Sequence, residues 1–212
     1  MFRASLIRCL AISTLVFCVG FTARAGEGGG GKVMPATATP AGYSLEDMAE
    51  ALAYFNTSGN NLDYYPDTPF QILYADWSMP GGANTFTVKT GTRFFVPVTF
   101  IDDSPPILGN FPDDEDDIGD YVFARNQLGA HDLQIVVDGK TTTLGRSYAA
   151  GVHAPGLLDG GGSNLVQIGA FLTPLSKGIH TVTIRGTFDG DVILDLFGAP
   201  SSFEISYTVI VK

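Results

Sequence analysis

The residues best suited to chemistry in this chain are its carboxylates. Asp102 and Asp103 open an acidic stretch, and Asp113, Asp114, Glu115, Asp116, Asp117 and Asp120 crowd together behind Pro112. Hard cations such as calcium take six to eight oxygen ligands, so several carboxylates on one loop could hold one. No register, however, gives the acid spacing and sixth-place glycine of a helix-loop-helix calcium hand. The simpler expectation is a solvated loop kept extended by like charges. Calcium at Asp102, Asp103, Asp113, Asp114, Asp116, Asp117 and Asp120 is therefore an expectation to test, and no other cofactor is expected.

Catalytic constellations are sparse. The three histidines, His131, His153 and His180, are scattered. There is no His-Glu-x-x-His run and no Gly-x-Ser-x-Gly elbow. His131 and His180 sit at strand starts, which favours structural roles. His153 lies in a glycine-rich stretch with Asp159 close by, so a hydrolase would build its site from His153, Asp159 and the acidic loop. Paired carboxylates also serve glycoside hydrolysis, but only a cleft holding an acid of raised pKa would give such a pair meaning. No catalytic residue is assigned from sequence.

Aromatic residues offer binding chemistry instead. Tyr54, Tyr64, Tyr65, Tyr74 and Trp77 cluster in sequence, and exposed aromatic faces stack on sugar rings and anchor interfaces. Tyr64, Tyr65, Trp77 and His153 are the ligand-binding candidates; filling a helix–sheet contact is the competing reading of the aromatics. Asn56-Thr57-Ser58 has the form of a glycosylation acceptor. Gly26, Gly31 and Lys32 imitate the spacing of a phosphate loop, but Val33 stands where Ser or Thr belongs and no strand precedes it.

The elements that must position these residues follow from the pattern. Arg3 and Arg8, the apolar run from Leu10 to Phe21, and the small residues Ala23 and Ala25 make a secretory leader cleaved after Ala25. Both cysteines, Cys9 and Cys18, fall inside it, so the exported domain has no disulfide. The formal net charge of the whole chain is −10, and the leader carries three arginines and no acid, so the mature protein is more acidic still. Such a surface repels phosphate backbones and excludes nucleic acid as a partner. With the leader removed, no segment reaches the roughly 20 apolar residues of a membrane span. The expected location is secreted or periplasmic, and the expected partner a polysaccharide or another surface protein.

Residues 26–42 read as a flexible Gly/Pro linker. Residues 44–56 form one amphipathic helix, capped by Ser44 with Asp47 three residues on. From Phe70 onward, short runs at 70–74, 85–89, 93–101, 131–138, 141–144, 165–172, 180–187 and 203–211 read as strands. Asp138-Gly139 makes a hairpin turn. Many short strands between Gly and Pro turns predict a mainly β fold, a two-layer antiparallel β-sandwich, Ig-like or jelly-roll-like, over residues 43–212. Gly178 permits a tight reversal, and the His180 imidazole can fix the strand that follows.

Four motifs, in order, carry a resemblance. They are Gly91-Thr92-Arg93-Phe94-Phe95-Val96-Pro97-Val98, then Val137-Asp138-Gly139, then Pro174-Leu175-Ser176-Lys177-Gly178-Ile179-His180-Thr181, and last the Phe203, Tyr207 and closing valine strand. Over about residues 85–212 the chain resembles a family of secreted bacterial proteins without assigned function. The resemblance implies a secreted β-sandwich and brings no catalytic residues with it.

Overall fold

The computed structural model describes residues 32–212. The leader, its candidate cleavage residues Ala23 and Ala25, and both cysteines lie outside the described residues. Within them the strands are β1 (Phe70–Ile72), β2 (Asn84–Val88), β3 (Arg93–Asp102), β4 (Ala130–Val137), β5 (Lys140–Thr143), β6 (Ala149–His153), β7 (Asn164–Leu172), β8 (Gly178–Phe188) and β9 (Ser201–Val211). The helices are α1 (Leu45–Thr57), α2 (Glu115–Phe123) and α3 (Asp191–Phe197). The fold is mainly β, built from a four-stranded sheet in the order β1-β3-β7-β6 and a five-stranded sheet in the order β2-β9-β8-β4-β5.

The facing sides of the two sheets bury one core. Phe94, Val96, Ile168 and Leu172 from the first meet Leu133, Ile135, Val182, Ile184, Tyr207 and Val209 from the second. Alternation explains which side each residue takes. In β9, Ile205, Tyr207, Val209 and Val211 are buried, while Ser206 faces out and pairs its hydroxyl with Thr183 at 2.7 Å. The central strand β7 breaks that alternation, being buried from Leu165 to Leu172. A strand covered on both faces has no polar side to offer, and its second cover is α1. Met48, Leu52 and Phe55, none of them exposed, pack on Ile72, Phe95 and Phe171.

Helix α1 begins as the sequence indicates. The Ser44 side chain accepts from Asp47 N–H at 3.1 Å, and the Asp47 carboxylate accepts from Ser44 N–H at 2.6 Å. Those bonds hold Asp47 below the usual carboxylate range.

Three sequence expectations are revised. The sheets are mixed rather than antiparallel: β1 runs parallel to β3, and β2 parallel to β9. The cause is that the chain changes sheets between β1 and β2 and again through Thr90-Gly91-Thr92, so each short strand meets its neighbour only after a crossing. There are also three helices among the described residues where one was expected. In α2, Ile118, Tyr121 and Val122 recur at helical spacing and are buried; the surrounding acids concealed that pattern. Last, part of the expected flexible linker is docked. Val33 bridges to Leu172, Met34 N–H donates to Phe171 O at 2.8 Å, and Tyr148 Oη donates to Met34 O at 3.1 Å.

Replacing Ser44 by Ala removes one half of the reciprocal cap on α1. It is expected to cost about 1 kcal/mol, or roughly 2–4 °C of Tm for a domain of this size. Thermal melts followed by circular dichroism check this; an unchanged Tm means the helix start is held by packing alone.

Candidate functional site

Two strands in this fold outrun the short strand on one side of them. β2 pairs only with Tyr207–Val211 of β9, and β1 only with Arg93–Phe95 of β3. The first half of β9 and the second half of β3 therefore have an open side. Lys212 donates to Val88 O and accepts from Thr90 N–H, so its main chain faces the β2 side. β9 pairs with β8 without a register shift. The two-residue period of a strand then turns the main-chain groups of Ser202 and Glu204 to the same side, beyond the reach of β2.

Between these two edges lies an open cleft of about 870 Å³. Val98, Ile184, Phe203 and Ile205 supply apolar lining, Trp77 and Phe197 stand along it, and Asn60, Asp132, Arg185 and Glu204 are among its polar members. Phe203 stacks on Phe188 with ring centroids 6.5 Å apart. A Cβ at Gly186 would come within 3.0 Å of the Phe203 ring, so the missing side chain makes room for it. Trp77 is held by a similar device. Gly82 has φ +69, and a Cβ there would stand 3.2 Å from the indole. Asp76 stiffens the same turn by accepting from Ser78 N–H at 2.9 Å and Ser78 Oγ at 2.6 Å. Arg185 Nε donates to Gln134 Oε1 at 2.8 Å, and its guanidinium lies 3.7 Å from Glu204.

Of the aromatic candidates, Trp77 lines this cleft and Tyr64 and Tyr65 do not. The Tyr65 hydroxyl accepts from Ile72 N–H at 3.1 Å, its ring meets Phe55 and Tyr74 edge to face, and burial pushes its phenol up. Tyr65 thus joins the α1–sheet contact while staying 36% exposed, and Tyr64 is 45% exposed. Asn56 does not offer a glycosylation acceptor. It is buried, and its Nδ2 donates to the equally buried Gln167 at 2.8 Å.

A second group of residues gathers where β3 ends. The Asp103 carboxylate accepts from Ser163 N–H (2.6 Å), Asn164 N–H (2.9 Å) and Asn164 Nδ2 (2.7 Å). Burial opposes its charge, but these bonds outweigh burial and keep it below the ordinary carboxylate range. Ser104 Oγ accepts from Gly162 N–H at 3.0 Å and donates to Asp159 at 3.2 Å. Asp159 is pushed up to about 6, by burial first, then by the charge of Asp102 and the hydrogen bond between the two carboxyls. A neighbouring carboxylate makes ionisation costlier, so Asp159 holds its proton to a higher pH than a free carboxyl does.

His153, at the end of β6, reaches only the edge of this group. Its Nδ1 lies 2.9 Å from Asn164 Oδ1, and the imidazole is exposed. The other acids serve α2. Asp114 caps it and accepts from Asp116 N–H at 3.1 Å, while Glu115, Asp116 and Asp117 occupy its first turn. Carboxylates there complement the helix dipole. Asp120 pairs with Arg146. Asp113, Asp117 and Asp120 line a smaller depression of about 430 Å³. Among the described residues no group of three or more His, Cys, Asp or Glu side chains is arranged to hold a metal ion. Neither depression is lined by Asp102, Asp103, His153 or Asp159.

Gly178 and His180 act at the far end of the sheets. Gly178 has φ +145, a conformation that disfavours side chains. The buried His180 ring meets Asp138 Oδ2 at 2.7 Å and Ser176 O at 2.8 Å. It thereby ties the β4–β5 turn to the β7–β8 turn.

No family model, curated protein or solved structure matches the chain.

Sequence reasoning missed Phe203, Arg185 and Glu204 as site residues. Alternation places Phe203 on the core side of β9, but nothing in the sequence says that β2 stops before reaching it.

Two outcomes follow from these contacts. Removing the ring as His180→Ala breaks its buried contacts to Asp138 Oδ2 and Ser176 O and is expected to cost about 2 kcal/mol in chemical denaturation. An unchanged midpoint would remove the structural role. For Asp159, the folded state holds its proton more tightly than the unfolded chain. The resulting cost is absent below about pH 4 and grows as pH rises through about 6. Asp159→Asn, which mimics the protonated form, should match the wild type at pH 4. At pH 7.5 it should exceed it by roughly 1 kcal/mol, a figure discounted for partial exposure. Parallel stability curves for the two proteins across that range would contradict the raised pKa of Asp159.

Proposed function

We propose that this is an exported, non-catalytic binding module, a two-layer β-sandwich that holds an elongated ligand in its side cleft. The observation that carries the reading is the cleft itself, about 870 Å³ and open to solvent, with aromatic rings beside polar groups. Ligand sites combine a mostly apolar lining with a small number of placed polar groups, and Trp77, Phe203, Arg185 and Glu204 supply both. The partner is a polysaccharide or another surface protein. Export rests on the leader pattern from Arg3 to Ala25, and the resemblance to secreted proteins points the same way. Among the described residues no helix is long and apolar enough to cross a membrane.

A non-catalytic role is supported by where the perturbed acid lies. Asp159 is raised by burial and by the neighbouring Asp102, and neither residue lines the cleft.

The test is retention of the protein on immobilised polysaccharides and on surface proteins, with Trp77→Ala as the probe variant. Retention is expected to fall at least tenfold in the variant while its far-ultraviolet circular dichroism is unchanged, since interface aromatics carry about 2 kcal/mol or more. Equal retention would remove the cleft as the binding site. Turnover of chromogenic esters, phosphates or glycosides that is lost in Asp159→Asn would replace the binding module with a hydrolase. Sequencing of exported protein is expected to begin at Gly26.

A further inference from the structure

We propose that the open edge of β9 at Ser202 and Glu204 takes an extended peptide segment as an added strand. Its apolar side chains alternate into the cleft, and a basic residue lies opposite Glu204. This rests on the reading of the cleft as the binding site and names the occupant.

The main chain makes the first argument. Ser202 and Glu204 turn an N–H and a C=O each toward the cleft, on the side where β2 pairs with β9 from Tyr207 onward. The chain leaves that line at the Pro80–Gly82 turn, so β2 does not continue over them. An uncovered row of donors and acceptors is a template for another strand.

The opposite edge is not equivalent. β3 has Pro97, which carries no N–H, and its register shifts between Pro97 and Thr99. Proline and bulges are the usual means of blunting a strand edge. β9 has neither over this stretch, so one edge is protected and the other is left able to pair.

Side chains and charge define the segment. On the cleft side of β9 stand Phe203 and Ile205, with Trp77 and Val98 nearby. On the other face of β9, Ser202 and Glu204 point outward at the rim of the cleft, Ser202 sharing a hydroxyl contact with Thr187 at 2.9 Å. A strand laid here meets apolar surface with every second residue and polar surface with the next. The Glu204 side chain is 62% exposed and its nearest cation, Arg185, stands at 3.7 Å, with its Nε already given to Gln134. Asp132 lines the same cleft, and the whole chain carries a formal net charge of −10. A basic segment is the complementary partner. A glycan would use the aromatic faces but would leave the main-chain row without strand partners.

The experiment is isothermal calorimetry on the full chain with a blocked octapeptide of alternating valine and lysine. Controls are its valine–glutamate counterpart, two analogues N-methylated at one or the other set of alternate amides, and hexamers of β-linked glucose and N-acetylglucosamine. The valine–lysine peptide is expected to bind at least tenfold more tightly than the valine–glutamate peptide. One N-methylated analogue should lose at least tenfold and the other much less, because only alternate amides of an added strand face the edge. Glu204→Lys should reverse the charge preference.

Equal loss in both analogues, or indifference to peptide charge, overturns strand addition. Sugar binding that Trp77→Ala abolishes, with no peptide binding, overturns this inference and leaves the cleft reading standing. No binding by any probe at millimolar concentration removes both. A concentration-dependent dimer broken by Glu204→Lys, seen by light scattering, would overturn the peptide partner in favour of a second copy of this chain.

Discussion

The doubly buried strand β7 is the constraint from which the rest of the molecule follows. Every residue from Leu165 to Leu172 is buried, including Gln167. One face of that strand is covered by the opposite sheet. The other requires a separate cover, and α1 is the element with a long enough apolar stripe to supply it. Gln167 is the polar group that this burial strands, and Asn56 of α1 reaches it at 2.8 Å. A buried amide without a partner costs more than the bond itself returns. The bond therefore fixes the position of the helix end as well as satisfying Gln167, and Asn56 itself and Asn60 just beyond the helix line the cleft.

Because the helix covers only one sheet, the outer side of the other stays polar. Its cross-strand pairs are Thr183 with Ser206, Thr187 with Ser202, and Arg185 with Glu204. The cleft forms where this polar side meets the apolar interior, at a margin that β1 and β2 only half close. Short parallel strands suffice to seal the upper part of the core. Below them the interior is reached from outside between β3 and β9, and apolar residues such as Phe203 are left partly exposed.

Much of this was legible in the amino-acid pattern, and the illegible part has a common cause. The α1 cap, the Asp138-Gly139 turn and most strands are written in local spacing, within a residue or two of where they lie. β6 was missed because Ala-Ala-Gly-Val-His has neither alternation nor β-branched density. α2 was missed because charge was read before period. The cleft depends on something no local window contains, namely that β2 meets β9 at Tyr207 and not four residues earlier. Register between distant strands is set by whole-sheet packing, so Trp77 could be suspected from its type while Glu204 could not be suspected at all.

The acidic residues show how one composition serves two opposed electrostatic ends. Asp114 to Asp117 sit where backbone N–H groups converge at a helix start, and there negative charge stabilises. Asp103 is similar, its charge absorbed by the amides of Ser163 and Asn164. Asp159 has a single hydroxyl and the neighbouring Asp102 for company, so its charge is opposed rather than absorbed. The difference arises from how many N–H groups face each carboxyl, not from how many acids stand nearby in sequence. Counting acids along the chain therefore points at 113–120, whereas the carboxyl whose ionisation is opposed lies at 159, in a glycine-rich loop that closes over Ser104.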